Sequence, residues 1–204
     1  MTAQIYLASS SPRRQELLRQ LGLRFEVLPA DVLEQPRPGQ SPADYAVSMA
    51  LAKARTGSTL TRAPLPVLGA DTDVVLDGEI LGKPVNREHG LSLLAKLSGR
   101  THEVYSAVAL VQGARTQTAL SVTRVNFAAI SPAMASAYWD TGEPADKAGA
   151  YAIQGLGACF VKTIEGSYSG VMGLPLYETC ELLSDFGVEV FPSIHSSPFT
   201  LHAT

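Results

Sequence analysis

Cysteine is scarce in this chain: Cys159 and Cys180 are the only two in 204 residues, and they form no CxxC pair. Such spacing offers neither a disulfide framework nor a thiolate zinc site, and both read as reduced, buried thiols of a cytoplasmic protein. An excess of one charge is also lacking, since 16 basic residues against 19 acidic ones leave a net charge of -3. That balance argues against a protein that coats nucleic acid or an anionic membrane through bulk electrostatics. Any anionic ligand must therefore be met by a few placed cations, with or without a metal. No apolar run approaches the about 20 residues of a membrane span. The opening MTAQIYLASSSPRR has no basic stretch followed by a long apolar region, so it does not read as a signal peptide. Walker A, GxGxxG, HExxH and GxSxG patterns are all missing. The four histidines (His89, His102, His195 and His202) are scattered, which disfavours a Ser-His-Asp triad or a His-rich zinc site.

What is present suits a compact globular protein, with 46% hydrophobic and 17% charged residues. Residues 1–190 read as one domain and 191–204 as a poorly ordered tail. Three Ser-Pro pairs, at 11–12, 41–42 and 131–132, each supply an N-cap followed by proline at the first helical position. Gly22 and Gly57 read as the stops of the first two helices, and Asn86 as the cap of a further one ending near Ser98. Strands are expected at 4–8, 25–28, 66–76 and 79–81, with Asp77-Gly78 as a hairpin turn. Long β-rich runs cover 102–111 and 116–127. Further strands are expected at 159–164 and 171–172, with a last helix over about 175–186. Helices and strands alternate at first and antiparallel pairing follows, which predicts an α/β protein with a mixed, twisted sheet flanked by helices.

Four segments carry residues suited to chemistry. Ser9-Ser10-Ser11-Pro12-Arg13-Arg14 stands where a strand hands over to a helix. It is either a phosphate site, built on free N–H groups and two guanidinium groups, or an ordinary capped helix. In Leu68-Gly69-Ala70-Asp71-Thr72-Asp73, two carboxylates two residues apart share one face of an apolar strand, with Thr72 opposite. They either hold a divalent ion or supply a base beside it, or they mark a strand end facing water. A buried acid without a partner is costly, so lysine, metal or hydrogen bonds should lie near. Lys83, just after the hairpin, and Lys53, among alanines on the second helix, either reach those acids or extend into solvent. In Asp146–Gly155 the small residues allow backbone to approach a ligand. There the Gln154 amide either reads the edge of a uracil or thymine ring or is simply solvated.

Together these segments resemble the Maf family, and more closely its pyrimidine-specific dTTP/UTP pyrophosphatase subgroup. The matching stretches are LASSSPRRQELL (7–18), LGADTDVVLDGEILGKP (68–84), LSGRTHEVYSAVAL (97–110), DKAGAYAIQGLGACFV (146–161) and GLPLYET (173–179). The resemblance implies two lobes around a central cleft, similar to the inosine triphosphate pyrophosphatases. It implies hydrolysis of a pyrimidine nucleoside triphosphate to the monophosphate and pyrophosphate, a house-cleaning role, a divalent cation (Mg²⁺, Mn²⁺ or Co²⁺) and a homodimer. Carried over by position, Asp71 falls on the general base, and Arg13, Thr72 and Gln154 fall on positions tied to substrate choice. Ser9, Glu34, Lys53 and Lys83 fall on residues lining the cleft, with Glu34 and Asp71 as expected metal ligands. Asp73 departs from the pattern, because similar sequences carry an apolar residue there; it either adds a ligand or sits at the cleft rim. The competing expectation is a nucleotide-binding regulator of cell division, which needs the cations but not a base and a metal.

Overall fold

The computed structural model describes residues 2–190. One mixed sheet organises it. Strands β1 (Ile5–Leu7), β2 (Phe25–Val27), β3 (Val67–Leu76), β5 (Thr101–Gln112), β6 (Arg115–Phe127) and β7 (Val161–Glu165) lie in the order β2-β1-β3-β5-β6-β7. A short strand β4 (Glu79–Leu81) pairs with β3 through a hairpin whose turn residues, Asp77 and Gly78, both have positive φ. β1 runs parallel to β2 and β3, and the pairs from β3 to β7 are antiparallel.

One edge of β3 changes partner along its length. β1 pairs with Val67 and Leu68, β4 pairs with Val74 to Leu76, and among the described residues no strand covers 69–73 on that side. On the other side β5 continues without a break, with Asp71 opposite Ala107, Thr72 opposite Ser106 and Asp73 opposite Tyr105. The sheet is thus split at a point where β1 ends and its chain turns into a helix, the kind of crevice in which open α/β sheets bind ligands.

Two hydrophobic cores flank the split. One joins β1, helix α1 (Pro12–Gln20) and the last helix α6 (Leu176–Asp185) through Ile5, Leu7, Leu17, Leu18 and Leu183. The other gathers helices α3 (Arg87–Leu97) and α4 (Pro132–Asp140) around Leu94, Leu97, Tyr138 and Phe127. Between them helix α2 (Pro42–Thr59) lies on β3 and β5 through Ala46, Ala50, Ala54, Ala107 and Ala109. That contact is close because both partners are small: a Cβ on Gly69 would stand 2.2 Å from the Ala50 carbonyl oxygen. Among the described residues no helix is long and apolar enough to cross a membrane.

The mixed α/β expectation matches this architecture. Ser41, Asn86 and Ser131 cap their helices as expected, each side chain accepting from the backbone N–H three residues on. Such a cap stabilises a helix by about 1 kcal/mol. Ser11 departs from the pattern: its side chain accepts no cap bond, and its N–H donates to Ser9 Oγ at 3.3 Å. Gly57 does not stop α2, which runs on to Thr59; it lets the helix seat against Ala8 and Val67. Residues 171–172 lie in a short helix, α5 (Tyr168–Met172), and not in a strand, because Ser167 caps the Gly170 N–H and starts a turn. Cys159 is exposed and Cys180 half-buried, against the expectation of buried thiols. The expected tail, 191–204, lies outside the described residues.

Candidate active site

Close seating of α2 on β3 delivers Lys53 to the split. Its Nζ lies 2.5 Å from Asp71 Oδ1 and 2.5 Å from Glu34 Oε1. Lys53 and Asp71 are 8% and 7% exposed, whereas the Glu34 side chain, on the loop between β2 and α2, is 47% exposed. One ammonium therefore joins a helix, a central strand and a loop from three parts of the chain. Burial pushes the Glu34 carboxyl up, but the Lys53 hydrogen bond and the charges of Lys53, Lys83 and Arg14 outweigh it and hold the group below its usual range. Lys83 is exposed beyond β4, and its charge acts on Glu34 across the split.

Asp71 and Asp73 share the α2 face of β3, as alternation requires. The Asp73 carboxyl is pushed up to about 8, first by burial, then by the Asp71 charge and a hydrogen bond to Asp71. Its Oδ2 is buried with no partner. Tyr45, one turn into α2, belongs to the same surroundings: burial and the charges of Asp73, Asp71 and Glu34 push its hydroxyl up to about 12. Among the described residues no three His, Cys, Asp or Glu side chains already converge as a metal site. The donor chemistry nevertheless fits a hard divalent cation, since Asp71, Asp73 and Glu34 offer oxygen ligands and Asp73 Oδ2 has no hydrogen-bond partner among the described residues.

Thr72 points to the opposite face, and there the structure brings in Arg14. Its Nη1 donates to Ser9 Oγ at 3.0 Å, its Nη2 to Thr72 Oγ1 at 3.4 Å and its Nε to the Gly173 carbonyl at 2.8 Å. Burial lowers the Arg14 guanidinium from its ordinary value, while Asp71, Glu34 and Asp73 pull it back. Arg13 is half-buried and held lower by burial, with the Asp146 charge opposing. Ser9 and Thr72 thus meet through Arg14, whereas Arg13 looks toward the 146–157 segment. Arg14 was read from the sequence only as half of an arginine pair, with Arg13 alone tied to substrate choice, and Tyr45 was not singled out. A signal existed for both: Arg14 precedes the buried Leu17 and Leu18 by three and four residues, and Tyr45 precedes Lys53 by eight, two helical repeats on one face.

The glycine-rich segment reaches the chain just beyond β4. Gly149 N–H donates to the Gly82 carbonyl at 3.1 Å, next to Lys83. Gln154 is exposed on a turn further along, and among the described residues no hydrogen bond joins it to the Lys53 cluster.

A family model described as Maf-like protein matches residues 4–186. A dTTP/UTP pyrophosphatase of Escherichia coli O157:H7 is 53% identical over 182 residues, covering 89% of this chain and 92% of that one. Another of that name, from Saccharophagus degradans, is 50% identical over 196 residues, covering 95% and 93%. A solved structure of the Staphylococcus aureus Ham1 protein is 13% identical over 89% of this chain and 96% of that one, with a TM-score of 0.48.

Proposed function

The chain belongs to the Maf family, and from that membership we propose that it hydrolyses dTTP and UTP to the monophosphate and pyrophosphate, clearing pyrimidine nucleotides from the cell's pool. The observation that carries the reading is the buried Asp71 held by Lys53 at 2.5 Å, in a split lined by Arg14, Lys83 and Glu34. A protein that merely held a nucleotide would need the cations. It would not need a pair of half-desolvated acids on one strand face.

In this mechanism the triphosphate lies along the open edge of β3. Asp71 accepts a proton from water as its oxygen attacks the α-phosphorus. The bond from that phosphorus to the bridging oxygen breaks, and pyrophosphate leaves with the electron pair. Lys53 fixes the Asp71 carboxylate and, with Lys83, Arg13 and Arg14, offsets the negative charge that gathers on the leaving group. Ser9 holds Arg14 in place, Thr72 donates and accepts beside it, and Gln154 reads the pyrimidine edge. Glu34 and Asp71, with Asp73 as a further oxygen, would hold a divalent cation (Mg²⁺, Mn²⁺ or Co²⁺), which would supply charge neutralisation for the phosphate oxygens.

The test is pyrophosphate release from a panel of canonical and modified nucleoside triphosphates, with and without Mn²⁺. Release is expected from dTTP and UTP above all purine nucleotides. Absence of release from every nucleotide would overturn the enzyme reading, and a purine preference would overturn the pyrimidine one.

A further inference from the structure

Glu143 touches none of the residues placed in the mechanism, yet the turn that carries Gln154 is built around it. It stands in a 3-10 turn, Glu143–Asp146, just after α4. Its Oε1 accepts from Tyr138 Oη at 2.7 Å and from the Gly157 N–H at 3.0 Å, and its Oε2 accepts from the Leu156 N–H at 2.9 Å. Tyr138 Oη in turn accepts from the Ala152 N–H at 3.0 Å. One carboxylate and one phenol therefore grip both arms of the turn, Ala152 on one side and Leu156 with Gly157 on the other. Gln154 and Gly155 are left between the arms.

The grip is tight. A Cβ on Gly155 would stand 2.2 Å from Glu143 Oε2, and one on Gly157 would stand 2.7 Å from Tyr138 Oη. Ahead of the turn, Tyr151 Oη lies 2.8 Å from His102 Nε2 in the core, so the arm entering the turn is anchored below as well. Three consecutive buried residues, Tyr151, Ala152 and Ile153, then hand over to the exposed Gln154, whose side chain has no hydrogen bond to a described residue. A half-buried carboxylate that accepts three hydrogen bonds within one short stretch serves that stretch and leaves the amide at its tip free for a ligand.

We propose that Glu143 is a positioning residue for base recognition: through Tyr138 and the Leu156 and Gly157 amides it fixes the turn that presents Gln154 to the pyrimidine ring. This rests on the pyrimidine reading above. The claim concerns the base alone, so the phosphate end of the site is unaffected by it.

The experiment is a double-mutant cycle on the full chain with Glu143→Ala and Gln154→Ala, reading KM and kcat for UTP and dTTP and the inhibition constant of inorganic pyrophosphate. Glu143→Ala is expected to raise KM by about tenfold or more, with kcat within about threefold and pyrophosphate inhibition within about twofold. In the Gln154→Ala background it adds less than about twofold, because the amide it positions is gone. Glu143→Gln keeps one acceptor oxygen and the shape, and gives an intermediate KM; it carries the test if the alanine variant does not fold. Additive KM effects would overturn the inference, as would equal weakening of pyrophosphate inhibition or a fall in kcat matching the rise in KM. A parent protein that releases pyrophosphate from no nucleotide would instead defeat the pyrimidine reading on which the inference stands.

Discussion

Asp73→Asn removes a charge that the folded chain holds at a cost. Burial first, and then the charge and hydrogen bond of Asp71, push the Asp73 carboxyl up to about 8 from an ordinary 3.8. A carboxyl raised in this way binds a proton in the native state that the unfolded chain has already released. The stability linked to it is fully present below about pH 4 and is lost as pH rises through about 8, above which both states are ionised. At about 1.4 kcal/mol per pH unit, the interval between those values sets a ceiling of about 6 kcal/mol. Asp73 is only partly buried, so solvent screening brings the expected effect to about 1–3 kcal/mol. Asparagine keeps the shape and cannot ionise. In urea titrations with EDTA present, the variant should match the parent near pH 4 and exceed it by about 1–3 kcal/mol near pH 8, or about 2–4 °C of Tm for each kcal/mol. Adding Mn²⁺ should then stabilise the parent more than the variant, since binding to the native state alone raises stability by mass action. A difference that does not change with pH would refute the account, and so would a variant less stable than the parent near pH 8.

Three further outcomes follow from the same geometry. Asp71→Asn should lower kcat by about 10²–10⁴ while circular dichroism keeps the parent's form; retention of most activity would remove Asp71 as the base. Lys53→Met leaves the buried Asp71 unpaired and should cost about 3–5 kcal/mol in urea unfolding near pH 7, almost all from Asp71, because the half-exposed Glu34 contributes about 0–1 kcal/mol. Equal loss in a Glu34→Gln variant would contradict that division. Gly69→Ala places a methyl 2.2 Å from the Ala50 carbonyl and 2.5 Å from the Ala54 amide nitrogen. It should destabilise by about 1–3 kcal/mol and also lower kcat, because α2 must lift and take Lys53 with it; unchanged kinetics would show that the helix seat does not set the site.

The sequence was most legible where one residue type has one local use. Ser-Pro pairs and Asn86 mark helix starts because an oxygen acceptor followed by a preset φ has few other roles, and Asp77-Gly78 marks its hairpin for the same reason. Legibility failed where a residue has two uses. Gly57 reads as a stop, but here it serves close packing, and that depends on Ala8, just after β1, and Val67 of β3. Val171 and Met172 are too short an apolar run to separate strand from helix. In the site, the acids on β3 stood out because charge interrupts an apolar strand. The Glu143 grip did not, since its three bonds depend on how a glycine-rich loop folds back after α4. The choice between Arg13 and Arg14 required the phase of α1 about its axis, which the spacing to Leu17 and Leu18 contained.

An acid in the middle of a buried strand would ordinarily count against a fold, so its tolerance here needs a cause. The cause is the break in pairing at residues 69–73 on one edge of β3. Had β1 run four residues further in parallel, a neighbouring strand would lie along Asp71 and Thr72 and close the edge that a ligand must approach. β1 instead ends at Leu7, and Ser9 and Arg14 of the strand-to-helix turn fill the space with polar groups. From the other direction the β3–β4 hairpin begins pairing at Val74, so Lys83 emerges beside the gap and acts on Glu34. Small residues on α2 bring Lys53 down onto Asp71 from above. Each of the three cations is thus carried to the acids by a different element. It follows that neutral substitutions within the cluster should change chemistry and local stability while the split sheet persists, whereas extending β1 pairing or thickening the α2 seat should close the site with its charges intact.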